Sequence, residues 1–157
     1  MTKRITSVVE LRRILDEMKK GEKISAITNS QKYVIGDWDI EYIKDQLINL
    51  LANFHQNAVI FVYFKNKVKP TSIFAGLISE DWSCKKTGLN EIHWFSVDKS
   101  QLGGIKVLQA AENVVKTLNL DFFACSYMCN GGDPRIQAFY INNGFRLDTL
   151  TFVKNYK

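Results

Sequence analysis

A pair of glycines, Gly103-Gly104, directly precedes an amphipathic segment in the second half of the chain and could bind an anion. A helix N-terminus carries unpaired N–H groups and a partial positive charge, which favour a phosphate. Glycine lets the backbone approach such a ligand closely because it has no Cβ atom. The same pair could instead form an ordinary turn, so the signal gains weight only from its surroundings.

The cysteines and histidines do not predict a metal site. Cys125 and Cys129 are four residues apart, but no second Cys/His pair completes a zinc site. Together with Cys84 they make an odd number, which does not fit a disulfide framework. We therefore expect free thiols in a reducing cytosol and no bound metal.

The elements around these residues predict a single α/β domain over residues 1–157. The helical spacing of apolar residues predicts helices over 6–20, 39–53, 104–119 and from Pro134 to about Asn143. Runs rich in β-branched and aromatic residues predict strands over 58–64, 72–82, 91–97, 121–128 and 145–153. Because a helix joins strands 91–97 and 121–128, these two strands should be parallel neighbours. The expected architecture is a mixed, mostly antiparallel sheet with helices on both faces.

Two segments resemble the GNAT superfamily of N-acetyltransferases. The first is the strand 91–97, followed by Gln101-Leu102-Gly103-Gly104-Ile105-Lys106 and the amphipathic helix. The second is Ala138-Phe139-Tyr140-Ile141-Asn142-Asn143-Gly144-Phe145, which is similar to the late family signature of Phe-Tyr, three residues and Gly-Phe. The resemblance covers about residues 57–157, whereas residues 1–56 share only helical character with the family.

The resemblance implies an acetyl-CoA site between the central strand and the following helix. In the family the pantetheine arm lies beside this strand, which would use backbone groups around Phe95, Ser96 and Val97. The diphosphate would lie against the segment Gln101, Leu102, Gly103, Gly104, Ile105 and Lys106. Lys106 replaces a small residue of the family pattern and could either crowd the phosphates or pair with them. Asp133 replaces an Asn that often contacts the cofactor, and it could instead cap the helix that begins at Pro134.

The resemblance also implies direct acetyl transfer to an amine acceptor that the sequence does not identify. Tyr140 matches the family tyrosine that protonates the departing thiolate; the alternative is a core aromatic on a short helix. Glu91 begins the strand where some members carry a carboxylate base, and burial would raise its pKa. His93 should share a face with Glu91, two residues along, and could serve instead. The structural alternatives are a solvent-facing glutamate and a packed histidine.

Composition leaves other functions open. The net charge of +5 comes without a dense basic block, so nucleic-acid binding is the weakest alternative. The stronger rival is a GNAT-like domain that has lost catalysis and acts as a structural or interaction module, because Lys106 and Asp133 depart from the family pattern. The longest apolar run, 58–64, is too short to span a bilayer, and no signal-peptide core is present. We therefore expect a cytoplasmic protein, with a homodimer compatible with the sequence.

Overall fold

Five strands and four helices make up the part of the chain that the structure, a computed structural model, describes: residues 1–19, 40–81, 83–97, 101–126 and 134–147. In chain order they are β1 (Thr2–Arg4), α1 (Val8–Lys19), α2 (Ile40–Asn53), β2 (Ala58–Lys65), β3 (Lys69–Glu80), β4 (Thr87–Ser96), α3 (Gln101–Thr117), β5 (Phe122–Ala124) and α4 (Pro134–Asn142).

The strands form one sheet in the order β1-β2-β3-β4-β5. The first three pairings are antiparallel, and β4 pairs with β5 in parallel. This arrangement confirms the mixed, mostly antiparallel sheet and the parallel relation of the two strands that flank α3. None of the described helices is long and apolar enough to cross a membrane.

The sheet has a hydrophobic core on each face. On the first, which we call the α1/α2 face, the helices contribute apolar residues at helical spacing: Leu11, Ile14, Leu15 and Met18 from α1, and Ile43, Leu47, Leu50 and Leu51 from α2. On the second, the α3/α4 face, they contribute Val107, Leu108 and Ala111 from α3, and Ile136 and Tyr140 from α4. Helices on both faces are therefore confirmed.

β4 begins four residues earlier than the predicted strand 91–97. Residues Gly88 and Asn90 looked like turn residues, yet they pair with β3 on one side and with β5 on the other. Gly88 is suited to the strand interior because an added Cβ would lie 2.3 Å from the ring of Phe122. The β5 pairing ends at Asn90↔Ala124, so no described strand accompanies the rest of β4 on that side.

Other boundaries also differ from the predicted ones. α3 begins at Gln101, three residues before Gly104, and β5 is only three residues long. β1, which pairs with β2, was not predicted. Of the predicted final strand, residues 145–147 are not in a strand and residues 148–153 lie outside the described part of the chain.

Candidate active site

A bulge in β4 lies at the centre of the candidate site. The pairing with β3 steps from Ala75↔His93 to Gly76↔Glu91, so Ile92 is one extra residue on β4. An extra residue reverses the alternation of side chains along a strand. Gly76 makes room for the bulge, since an added Cβ would lie 2.8 Å from the backbone oxygen of Asn90.

The bulge directs Glu91 and His93 to opposite faces of the sheet. His93 is 3% exposed, and its Nε2 lies 2.9 Å from Oε1 of Gln46 on α2. Glu91 lies on the α3/α4 face, where the N–H of Ser126 donates to its Oε2 at 3.1 Å. The prediction that Glu91 and His93 share a face is wrong, because strand alternation does not continue through the extra residue.

The carboxyl of Glu91 is held in a setting that favours its protonated form. Burial raises the pKa of Glu91 to about 7, although the Ser126 N–H and the nearby Cys125 and Tyr140 side chains lower it. Its Oε1 is buried and has no hydrogen-bond partner of acceptable geometry within the described residues. Such a carboxyl can accept a proton near neutral pH. The expectation of a solvent-facing glutamate at a strand entry is not met.

Tyr140 meets Glu91 from α4. It is 7% exposed, and its ring lies 5.8 Å from that of Trp94 and 5.2 Å from that of Phe145, between centroids. The hydroxyl is buried and makes no hydrogen bond of acceptable geometry with a described residue. Burial, and then the charge of Glu91, raises the pKa of Tyr140 far above its ordinary value, so the hydroxyl keeps its proton. Tyr140 thus has a core ring and a buried hydroxyl donor.

His93 cannot join this cluster, because it lies on the other side of the sheet. Burial lowers the pKa of His93 to about 4, so the ring is neutral in the physiological range. Its Nδ1 is buried without a described partner. His93 is therefore the packed histidine that the alternative interpretation described.

The side chains at the end of β4 contact other parts of the protein and so are not available to a cofactor. Phe95 and Val97 are buried in the core of the α1/α2 face. Ser96 lies on the other side, where its Oγ is 2.5 Å from Oγ of Ser72 on β3. Only backbone groups of Phe95, Ser96 and Val97 therefore remain as the cofactor contacts that the family resemblance implies.

The first turn of α3 packs closely on the sheet. A Cβ on Gly103 would lie 2.3 Å from Oγ of Ser72 and 2.9 Å from the ring of Tyr63. Nε1 of Trp94 donates to the backbone oxygen of Gly104 at 3.1 Å. The alternative of an ordinary turn is not met: both glycines are helical, and Gly103, which was expected just before the helix, allows the helix to approach β3.

The other residues of this segment differ in exposure. Leu102 and Lys106 are exposed and Ile105 is partly buried, while Gln101 starts the helix. Lys106 therefore points away from the sheet rather than filling the space beside the glycines. Asp133 lies outside the described residues. Within those residues, no three His, Cys, Asp or Glu side chains are grouped so as to hold a metal ion.

The sequence predicted Cys125 as a free thiol near the cofactor site, where a thiol acyl intermediate is conceivable although no His is adjacent in sequence to activate it. The thiol is free and partly buried in the structure, and it interacts with both Glu91 and Tyr140. Cys125 directly follows β5, which pairs with β4 just before Glu91. Three chemically distinct groups, a carboxyl, a thiol and a phenol, thus meet where β4 and β5 cease to pair.

Comparison with solved structures identifies the fold. A GNAT family acetyltransferase from Staphylococcus aureus aligns with a TM-score of 0.60 at 13% identity, over 99% of this chain and 97% of its own. An aminoglycoside antibiotic 6′-N-acetyltransferase from Acinetobacter haemolyticus aligns with a TM-score of 0.63 at 13% identity, over 100% and 99%. The chain has the GNAT acetyltransferase fold.

The GNAT fold by itself does not specify an activity. A transcriptional regulator from Bacillus halodurans aligns with a TM-score of 0.65 at 9% identity, over 99% of both chains. No family model matches the sequence, and no curated protein matches it significantly. Function must therefore be argued from the site.

Proposed function

We propose that this protein is an acetyl-CoA-dependent N-acetyltransferase that moves an acetyl group directly to an amine. The observation that carries the proposal is the pairing, on the α3/α4 face of a GNAT fold, of the partly buried Glu91, whose Oε1 is buried, with the buried Tyr140. Bound acetyl-CoA would supply the thioester that donates the acetyl group. The residues of the chain would supply the base, the acid and the binding surface.

The residues present fit such a ligand. Two buried polar atoms, Oε1 of Glu91 and the hydroxyl oxygen of Tyr140, make no hydrogen bond of acceptable geometry with a described residue. A polar group of a ligand, or a water molecule, would supply the missing hydrogen bonds. The N-terminus of α3 lies at the end of β4, where its N–H groups favour an anion. Lys106 is exposed in the second turn and could pair with a phosphate there.

Glu91 acts as the general base in this proposal. Above a pH of about 7 its carboxylate is ionised and can remove the proton that the attacking amine must lose. The Ser126 N–H, bonded to Oε2, holds the carboxyl in position and leaves Oε1 to receive the proton. The transferred proton makes Glu91 neutral, which is the form that its buried setting favours.

Tyr140 acts as the general acid that protonates the departing sulfur. The negative charge of Glu91 is one cause of the raised pKa of Tyr140, so the hydroxyl is a poor donor while Glu91 is ionised. Once Glu91 has taken the amine proton that charge is gone, and Tyr140 becomes a better donor at the step that needs one. Glu91 then returns its proton to Tyr140, which restores both groups.

Binding and turnover are tested separately. Titration calorimetry should detect acetyl-CoA, and Lys106→Glu should weaken its binding by reversing a charge near the phosphates. Lys116→Glu, at the far end of the same helix, is the matched control. Failure of the parent protein to bind acetyl-CoA would overturn the proposal.

Tyr140→Phe tests the chemical step. It keeps the ring and removes the hydroxyl, so turnover with an amine acceptor should fall by about 10²- to 10⁴-fold while acetyl-CoA affinity stays within a few-fold. Binding of acetyl-CoA without turnover of any amine in a broad acceptor screen would favour the rival, a non-catalytic module. Full activity in Tyr140→Phe would remove Tyr140 from the mechanism.

A further inference from the structure

Trp94 contacts both helices of the α3/α4 face, although the proposed mechanism does not use it. Its side chain lies in the core of this face and is 2% exposed. The indole N–H donates to the backbone oxygen of Gly104 in the first turn of α3 at 3.1 Å, and the ring lies 5.8 Å from that of Tyr140 on α4, between centroids. We propose that Trp94 is a positioning residue that holds the first turn of α3 through its N–H group and the general acid through its ring. This inference rests on the proposed function.

The indole hydrogen bond holds the part of α3 that would bind a phosphate. The first N–H groups of a helix have no partner within the helix, and in α3 they belong to the turn that starts at Gln101. A backbone oxygen has two acceptor sites, so that of Gly104 can accept the indole N–H besides its helical hydrogen bond. The preceding residue, Gly103, lies against Ser72 of β3. The turn is thus held against β3 and β4 at two adjacent residues, which fixes the direction of its N–H groups relative to the sheet.

Packing of the ring, rather than a hydrogen bond to a described residue, orients Tyr140. Its hydroxyl is buried and makes no such bond of acceptable geometry. The ring lies against those of Trp94, Phe139 and Phe145, with centroids 5.8, 6.1 and 5.2 Å away. Phe139 belongs to α4 and Phe145 follows it, whereas Trp94 belongs to β4. Trp94 therefore sets the position of the Tyr140 ring relative to the strand that carries Glu91.

The two contacts use different parts of the indole, so two substitutions separate them. Trp94→Phe keeps an aromatic ring beside Tyr140 and removes the donor to Gly104. Acetyl-CoA affinity should fall by about 3- to 10-fold, which corresponds to one neutral hydrogen bond, while kcat stays within a few-fold of the parent. Trp94→Leu removes the aromatic ring as well. Affinity should fall to the same extent, and kcat should fall by about 10- to 100-fold because the acid is misplaced.

Phe74→Leu is the matched control for lost packing. Phe74 is fully buried in the same core and lies opposite Trp94 on β3, and its ring packs edge-on against that of Phe123, 5.7 Å away between centroids. A phenylalanine has no donor to offer α3. Phe74→Leu should therefore lower the melting temperature and leave affinity and kcat within a few-fold of the parent. Calorimetry measures affinity, steady-state kinetics measure kcat, and thermal unfolding measures the loss of packing.

A measurement that keeps Trp94 tests the inference even if the variants at residue 94 do not fold. The chain has three tryptophans, so Trp38→Phe combined with Trp82→Phe leaves a single indole N–H signal in the NMR spectrum. This signal should shift on addition of CoA, because the ligand would bind the turn whose backbone oxygen accepts the indole N–H. A signal that stays in place at saturating CoA would contradict the role of Trp94.

The outcomes separate this inference from the proposed function. The stated split between affinity and kcat supports the inference. Parental affinity in Trp94→Phe, or parental kcat in Trp94→Leu, would overturn the role of Trp94 and leave the proposed function standing. An equal loss of affinity in Phe74→Leu would also overturn it, because packing alone would then account for the effect. A parent protein that binds no acetyl-CoA would overturn the proposed function itself, and this inference with it.

Discussion

The two faces of the sheet treat two neighbouring ionisable residues of β4 differently. His93 lies on the α1/α2 face, bonded to Gln46, and burial lowers its pKa to about 4. Glu91 lies on the α3/α4 face, and burial raises its pKa to about 7. Burial favours the neutral form of both side chains. It therefore moves the pKa of the histidine below the physiological range and moves the pKa of the glutamate up into that range. The same desolvation thus makes His93 inert and Glu91 a candidate base.

The largest expected difference between the two faces is in catalytic activity when the ionisable side chain on each face is replaced. Glu91→Gln keeps the size of the side chain and removes its basicity, so we expect kcat/KM to fall by about 10²- to 10⁴-fold with acetyl-CoA affinity nearly unchanged. His93→Gln, the matched control on the other face, should stay within a few-fold of the parent. Steady-state kinetics at pH 8 and calorimetry measure both. An equal loss of activity in the two variants would break the comparison between the faces.

The two groups should also oppose each other in the pH dependence of stability. The folded-state pKa of Glu91 is about 7, against an ordinary value of 4.5. The contribution of Glu91 to the free energy of unfolding is therefore present at low pH and is lost as pH rises through about 7. The folded-state pKa of His93 is about 4, against an ordinary value of 6.5. The contribution of His93 to the free energy of unfolding is therefore present above pH 6.5 and is lost as pH falls from 6.5 to about 4. Each effect is on the order of 3 kcal/mol, and they partly cancel between pH 4.5 and 6.5.

Single variants should reveal each slope. In Glu91→Gln the free energy of unfolding should rise with pH across this window, and in His93→Gln it should fall, as measured by urea unfolding at a series of pH values. The parent protein should be nearly flat in comparison. The same slope in both variants would contradict the stated environments of Glu91 and His93.

The bulge that separates the two residues depends on Gly76. In Gly76→Ala the new Cβ would meet the backbone oxygen of Asn90 at 2.8 Å, so β3 and β4 must shift. We expect the free energy of unfolding to drop by about 1–3 kcal/mol, and turnover to drop beyond what the folded fraction explains, because Glu91 is displaced. Unfolding curves and kinetics on the same preparation test this. Parental turnover per folded molecule would show that the bulge does not depend on Gly76.

The smallest expected effect is on stability, at the hydrogen-bonded hydroxyls of Ser72 and Ser96. They lie on the same face of the sheet as Glu91 and Tyr140, which each have a buried oxygen without a hydrogen bond to a described residue. Ser72→Ala leaves the hydroxyl of Ser96 buried without its partner, which should cost about 1–2 kcal/mol of stability. The double variant with Ser96→Ala should cost less than the two single changes together, because no hydroxyl is then left unpaired. A double-mutant cycle by thermal unfolding measures the coupling. Additive losses would mean that the two hydroxyls do not depend on each other.

The sequence by itself determined most of the elements. The apolar spacing of Leu11, Leu15 and Met18, and of Leu47 and Leu51, marked the faces of α1 and α2, because helix periodicity is a local property. The run from Ala58 to Phe64 marked β2 within one residue. The helix between strands 91–97 and 121–128 was enough to predict their parallel relation, since the connection constrains their direction.

Only the tertiary structure decided how the site is assembled. The strand character of Gly88, the helical position of Gly103 and the extra residue Ile92 each depend on a partner from another element, so no local pattern contains them. Glu91 was a predicted base and Tyr140 a predicted acid, but both roles remain proposals. Their meeting with Cys125 required the bulge in β4, because one inserted residue determines which face of the sheet a side chain occupies.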